Sequence, residues 1–230
     1  MSIPRRGPPE SATGAVFSKD GARVAYTNEE NETIRVRSLV DGSLTTYLEN
    51  DHAFKRPFAF MPDGKALLYG RLDAATKWDI WLLPLDGGAP RPLLTSPANE
   101  TSGNISPDGR WLTYQSDESG PAEACIAPLA TPGLKYQVTI GGGIGAFSFD
   151  GKRFYFGLTR EPNLVRVADI RTEPSLSLGP SRVAFHLPED NGFWDLAHDE
   201  RRMLRLVSTE KPAPQAVTIL QHWSAAVRKP

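Results

Sequence analysis

The sequence predicts an all-β fold, a β-propeller of four-stranded antiparallel blades, on three observations: a recurring turn motif, its near-constant spacing, and no convincing amphipathic helix. The motif is an apolar residue, two further residues and Asp-Gly. It occurs at Phe17-Ser18-Lys19-Asp20-Gly21, Phe60-Met61-Pro62-Asp63-Gly64, Ile105-Ser106-Pro107-Asp108-Gly109 and Phe147-Ser148-Phe149-Asp150-Gly151, with a decayed fifth copy at Leu196-Ala197-His198-Asp199-Glu200. Successive aspartates are 43, 45, 42 and 49 residues apart, against ~40–45 for one four-stranded propeller blade.

Each Asp-Gly predicts a hairpin turn, because glycine takes a positive φ without steric cost and the aspartate side chain can accept from nearby backbone amides. The apolar stretches after the turns predict second strands at 24–26, 66–69, 111–114, 154–156 and 203–206. Third strands fit 34–39, 79–85, 124–129, 164–170 and 217–223, and fourth strands fit 44–48, 92–95, 136–140 and 182–187. The repeats are then 14–50, 51–97, 98–142, 143–188 and 189–230, with 1–13 as a linker or closing segment.

The fifth repeat ends after its third strand. Pro4, Pro8 and Pro9 lack the amide protons that a closing strand would need. The expectation is an incomplete ring of six or more blades that needs sequence before Met1 or an unusual closure; the alternative is that the five visible blades close by themselves, with the two ends meeting at 11–17. An open arc would leave an apolar face at each end and self-associate.

The bulk composition excludes several functions. Lys plus Arg number 26 and Asp plus Glu 27, so no net field recruits nucleic acid or anionic lipid. No apolar run reaches the ~20 residues that span a bilayer, and the first ten residues hold no secretory apolar stretch. As written, the sequence reads as cytoplasmic. The single cysteine, Cys125, has no disulfide partner in the chain and reads as a small buried thiol.

These residues resemble the TolB-like, WD-like propeller repeats of bacteria, such as those at the C-terminus of serine/threonine protein kinases and of winged-helix regulators. The resemblance runs through residues 79–88 (DIWLLPLDGG), 106–119 (SPDGRWLTYQSDES), 135–143 (KYQVTIGGG) and 217–223. The chain departs from the family at Lys19, Phe149 and His198, where the turn proline is usual, and at Glu200, where glycine is usual. The resemblance implies a non-catalytic scaffold for a protein or small ligand, serving as a sensor or interaction module. It also implies a periplasmic location if the parent is a membrane-anchored kinase. The alternative it implies is the propeller lid of a prolyl-oligopeptidase-like hydrolase, or a hydrolase or lyase site at the channel mouth.

Chemical motifs yield to structural readings. Gly141-Gly142-Gly143-Ile144-Gly145-Ala146 matches the spacing of a dinucleotide fingerprint, but a strand follows where a helix N-terminus is required, so it reads as an inter-blade loop and no cofactor is expected. Ser106 lies in a blade turn and no Gly-x-Ser-x-Gly elbow occurs. His52, His186, His198 and His222 are scattered, so no metal site is expected. Acidic pairs such as Asp117-Glu118 read as solvated loop charge, and the five tryptophans as packing between blades. The segments entering each first strand should meet at one mouth of the central channel. The candidate binding residues are therefore His52, Lys55, Arg56, Asn104, Asp190 and Trp194.

Overall fold

The computed structural model describes residues 12–187 apart from 29, 31, 132 and 174, together with 194–196 and 203–205. The chain separates into two compact units, Met1–Glu189 and Asp190–Pro230. Among the described residues all regular structure is β.

In the first unit, β1 (Ala12–Phe17), β2 (Arg23–Asn28), β3 (Thr33–Ser38) and β4 (Leu44–Tyr47) form one antiparallel meander. A second comprises β5 (Lys55–Phe60), β6 (Ala66–Asp73), β7 (Lys77–Pro84) and β8 (Arg91–Leu94). The third comprises β9 (Glu100–Ile105), β10 (Trp111–Ser116), β11 (Glu123–Pro128) and β12 (Tyr136–Gln137). The fourth comprises β13 (Gly143–Phe147), β14 (Arg153–Leu158), β15 (Glu161–Arg171), β16 (Ser177–Leu178) and β17 (Arg182–His186). β5 packs against β1, β2 and β3, β9 against β5, β6 and β7, and β13 against β9, β10 and β11. The second, third and fourth blades thus each place their first strand against the sheet before them.

The second unit contains the hairpin β18 (Trp194–Leu196) and β19 (Met203–Arg205), which brackets the decayed fifth motif. The expected third strand at 217–223 lies outside the described residues.

Three differences from expectation have local causes. The segment expected to be an inter-blade loop at 141–146 is a loop only at Gly141 and Gly142, and from Gly143 it is β13, paired without interruption to β14. Glycine suits this strand because a Cβ at Gly145 would lie 2.9 Å from the Tyr155 carbonyl oxygen. The fourth blade has five strands, because β16 and β17 both pair with the long β15 and occupy one outer edge, separated by Gly179-Pro180-Ser181. Proline cannot donate to a ladder, so the outer strand is split there. The first strand begins at Ala12, inside the segment expected to be a linker.

The core is shared across blade boundaries. Side chains alternate between the two faces of a strand. Accordingly Leu67 and Tyr69 join Ala25, Ile34 and Val36 of the first blade, whereas Leu68 and Ile80 join Leu112, Tyr114 and Cys125 of the third. Trp111 and Ile126 turn the other way, to Phe154, Phe156 and Ile170 of the fourth. Trp81 packs against the first of these clusters and Trp78 meets Phe54 edge-on at 5.9 Å, in keeping with packing roles.

The Asp-Gly turns form as their chemistry requires. Gly21, Gly64, Gly109 and Gly151 have φ of 68, 69, 74 and 71°, and Oδ1 of Asp20, Asp63, Asp108 and Asp150 accepts the amide two residues on at 3.0 Å. In three of the turns a buried serine adds a second layer. Ser18, Ser106 and Ser148 donate to the aspartate at 2.5, 2.5 and 2.6 Å, while their oxygens accept the amides of Arg23, Trp111 and Arg153 at 2.9 Å. The second blade has Met61 at this position. Asp108→Ala should therefore lower stability by about 1 kcal/mol, and Asp63→Ala by less. Paired thermal melts would read the order, and a larger loss at Asp63 would refute it.

Candidate functional site

The meander topology gives each blade two distinct ends. The Asp-Gly turns occupy one. The other carries the hairpins between second and third strands and the connections from blade to blade. At this connection end lie the buried polar residues Thr27, Asn28, Thr33, Lys55, Asp79, Glu100, Ser116, Glu123 and Thr139.

Lys55 opens β5 and is fully buried. Its ammonium donates to the backbone carbonyls of Glu32 at 3.1 Å, Ala53 at 2.5 Å and Asp51, and lies 3.9 Å from Asp51 Oδ2. All three of its protons are thereby directed to protein carbonyls. Beside it, Arg71 Nε and Nη2 grip Asp51 at 2.9 and 3.2 Å, and Nη1 reaches Asp73 at 2.8 Å. Burial pushes the Asp51 carboxyl up, but its hydrogen bonds from Arg71 and the Ala53 amide outweigh this and hold it below the usual aspartate range. The same guanidinium sits 5.7 Å from the Trp81 ring centroid.

Asp79 on β7 and Glu100 on β9 are different. They are 3% and 4% exposed, and each has one oxygen, Asp79 Oδ1 and Glu100 Oε2, without a hydrogen-bond partner. Their other oxygens accept from Thr76 at 2.6 Å and Ser96 at 2.5 Å. Burial pushes both carboxyls above their usual range. Glu123 is fully partnered by contrast, accepting from Thr139 Oγ1 at 2.6 Å and from the Gly141 amide at 2.7 Å, which fixes the glycine turn before β13.

The structure distributes the expected mouth residues unevenly. His52 is exposed on the connection into β5, and Arg56 is exposed on β5, its stem lying over Gly14 of β1. Lys55 faces inward and is committed to the carbonyls above. Asn104 is exposed but stands next to the last residue of β9, at the Asp-Gly end, with its side chain accepting the Ile105 amide at 2.7 Å. A strand rises ~3.3 Å per residue, so an entering segment and its far end cannot share one mouth. Of the described candidates, His52 and Arg56 are exposed near the connection end. Asp190 lies outside the described residues, and Trp194 is described only as backbone in β18.

Sequence reasoning missed the first-strand bulges. Between Thr13 and Val16, Pro57 and Ala59, and Thr101 and Asn104, one extra residue interrupts the register, with Gly14 and Ser102 at φ of 65 and 55°. The broken alternation of these first strands is the signal that could have revealed them. It also missed side-chain ties between blades: Thr27 donates to the Lys55 carbonyl at 2.7 Å, and Thr113 and Gln115 donate to the Gly145 and Gly143 carbonyls at 2.9 and 2.8 Å.

Four-stranded antiparallel blades packed in sequence define the chain as an all-β protein of propeller type. No protein-family model matches the chain, and no curated protein does. Among solved structures, TolB from Acinetobacter baumannii superposes with a TM-score of 0.67 at 18% identity, over 87% of this chain and 55% of that one. A protein solved as a TolB of Agrobacterium tumefaciens gives 0.57 at 19% identity, over 75% and 66%. Prolyl oligopeptidase B from Galerina marginata, solved with a 35mer substrate, gives 0.54 at 14% identity, over 80% of this chain and 29% of that one. The fold is a TolB-like propeller, and the chain spans 55% and 66% of the two TolB chains. Among the described residues no helix is long and apolar enough to cross a membrane.

Proposed function

We propose that the chain is a non-catalytic propeller scaffold that binds a protein or small ligand at the connection end of its blades, as the sensor or interaction module of a signalling protein. The observation that carries this reading is the commitment of the charged groups at that end. Lys55, Asp51, Arg71 and Asp73 are consumed in an internal clip that holds the rim rigid, while His52 and Arg56 remain exposed upon it. Two residues weighed as nucleophiles are in keeping with it: burial pushes the Cys125 thiol up to about 11, and Ser106 is held by Asp108 and the Trp111 amide. The link to a kinase or winged-helix regulator, with the periplasmic location it carries, rests on the resemblance.

The second reading, the propeller portion of a prolyl-oligopeptidase-like hydrolase, is favoured by the superposition on that peptidase. One experiment separates the two. The purified chain is expected to resist a fluorophosphonate serine probe, and a partner cross-linked by the native chain should be lost from the His52→Ala/Arg56→Glu variant but kept by Phe17→Ser at the opposite end. Serine labelling, or equal capture by the rim variant, would overturn the proposal. A captured α/β-hydrolase would favour the second reading.

A further inference from the structure

A cavity of about 200 Å³ lies toward the connection end of the third blade, lined by Ser116, Glu118, Ser119, Cys125, Lys135 and Gln137. Its buried wall is neutral. Ser116 and Cys125 are 3% and 4% exposed, and burial, followed by the charges of Glu123 and Glu100, keeps the thiol protonated. Ser116 Oγ accepts the Glu118 amide at 3.3 Å and keeps its proton to donate. Gln137 Nε2 is tied to the Thr139 carbonyl at 2.9 Å, which leaves its amide oxygen as an acceptor.

Charge is confined to the outer wall, where the half-exposed Lys135 ammonium bonds the Glu118 carboxylate. Behind the wall stands a second acid. Glu100 pairs directly across the ladder with Ser116, so the two share a face, and it is the buried carboxyl whose Oε2 has no partner.

We propose that this cavity binds a small zwitterion of amino-acid size, with its carboxylate on Lys135 and its ammonium toward Glu118 and Glu100. Size sets the upper bound, since the cavity falls below the ~300–1,000 Å³ of pockets for drug-sized ligands. Charge sets the class. A ligand bearing both signs replaces the Lys135–Glu118 pair with two new pairs, whereas a simple anion or cation leaves one of the two unpaired. The neutral groups of Ser116, Ser119 and Gln137 then serve the uncharged part of the ligand. This site shares the connection end with the proposed rim but uses neither His52 nor Arg56, so the two can be tested separately.

The test uses glycine, β-alanine and γ-aminobutyrate, with acetate and methylammonium as singly charged controls. Cys125 is the only cysteine, so its alkylation by iodoacetamide reports occupancy at the cavity wall. At least one zwitterion is expected to slow alkylation and to shift the backbone amide resonances of Ser116, Ser119 and Gln137, the second readout serving if the thiol reacts only on unfolding. Lys135→Met and Glu118→Gln should each weaken the effect about fivefold, less as salt rises, and Arg56→Glu should leave it unchanged. Protection by acetate or methylammonium equal to that by the zwitterions, no response to any zwitterion by either readout, or full retention in both wall variants would overturn the proposal.

Discussion

Lys55→Met should destabilise the protein by about 3 kcal/mol or more, the scale for removing one partner of a buried, hydrogen-bonded charge. The methionine keeps most of the stem, so little packing is lost. What disappears is the set of donors to the carbonyls of Glu32, Ala53 and Asp51, which belong to the β2–β3 hairpin of the first blade and to the connection leading into the second. An unpartnered buried carbonyl costs about 1–3 kcal/mol. Lys55→Arg should not rescue, because a planar fork cannot converge on three carbonyls as a rotating ammonium can. Urea denaturation is the measurement, with a lower midpoint at an unchanged slope expected. A loss under about 1 kcal/mol, the scale of an exposed ion pair, would return Lys55 to the list of residues free to meet a ligand.

Glu100→Gln should act in the opposite direction, raising stability near neutral pH by about 1 kcal/mol. Burial raises the Glu100 carboxyl. The Ser96 hydrogen bond and Lys135 oppose that shift, and Asp79 and Asp117 add to it. A carboxyl whose folded pKa exceeds its unfolded value binds its proton more tightly in the folded state, so stability is greatest below the unfolded value and declines as pH rises through the folded one. Glutamine mimics the protonated form, retains the acceptor for Ser96, and removes the decline. The gain should therefore vanish below the ordinary glutamate range, and Asp79→Asn should repeat the pattern, since burial also raises Asp79. Melting curves across that pH range check it. A gain independent of pH would mean that packing, and not ionisation, is responsible.

The parts of this fold that are legible in the sequence are those governed by local chemistry. Asp-Gly names its own turn because positive φ and the aspartate–amide bond are decided within a few residues, and runs such as Leu67-Leu68-Tyr69 announce strands buried on both faces. The extra residue in a first strand is harder to see. Whether Phe58 is paired or bulged depends on what the next strand offers, and Gly70 accepts its ring only in three dimensions. Lys55 misled for a related reason: a lysine at a strand entry looks solvated until a connection folds its carbonyls over it. Asn104 misled through geometry, because a segment that enters a mouth also runs away from it. The serine two residues before the aspartate in three of the four Asp-Gly turns is plain in the sequence, but its role depends on a backbone amide five residues on, beyond the turn itself, which its oxygen accepts while its hydroxyl donates to the aspartate.

The shared clusters separate two quantities that repeat proteins are often assumed to unite. Sequence repeats once per sheet, but each apolar cluster draws on two neighbouring sheets. A single excised repeat would carry two half-cores and no whole one. The period of inheritance and the period of cohesion are thus equal in length but out of step, since each unit of cohesion straddles a boundary between repeats. Stability in such a chain accrues at boundaries, through nearest-neighbour coupling. A substitution in β6 is therefore felt by the first blade or by the third according to whether its position is odd or even, as Leu67 and Leu68 are.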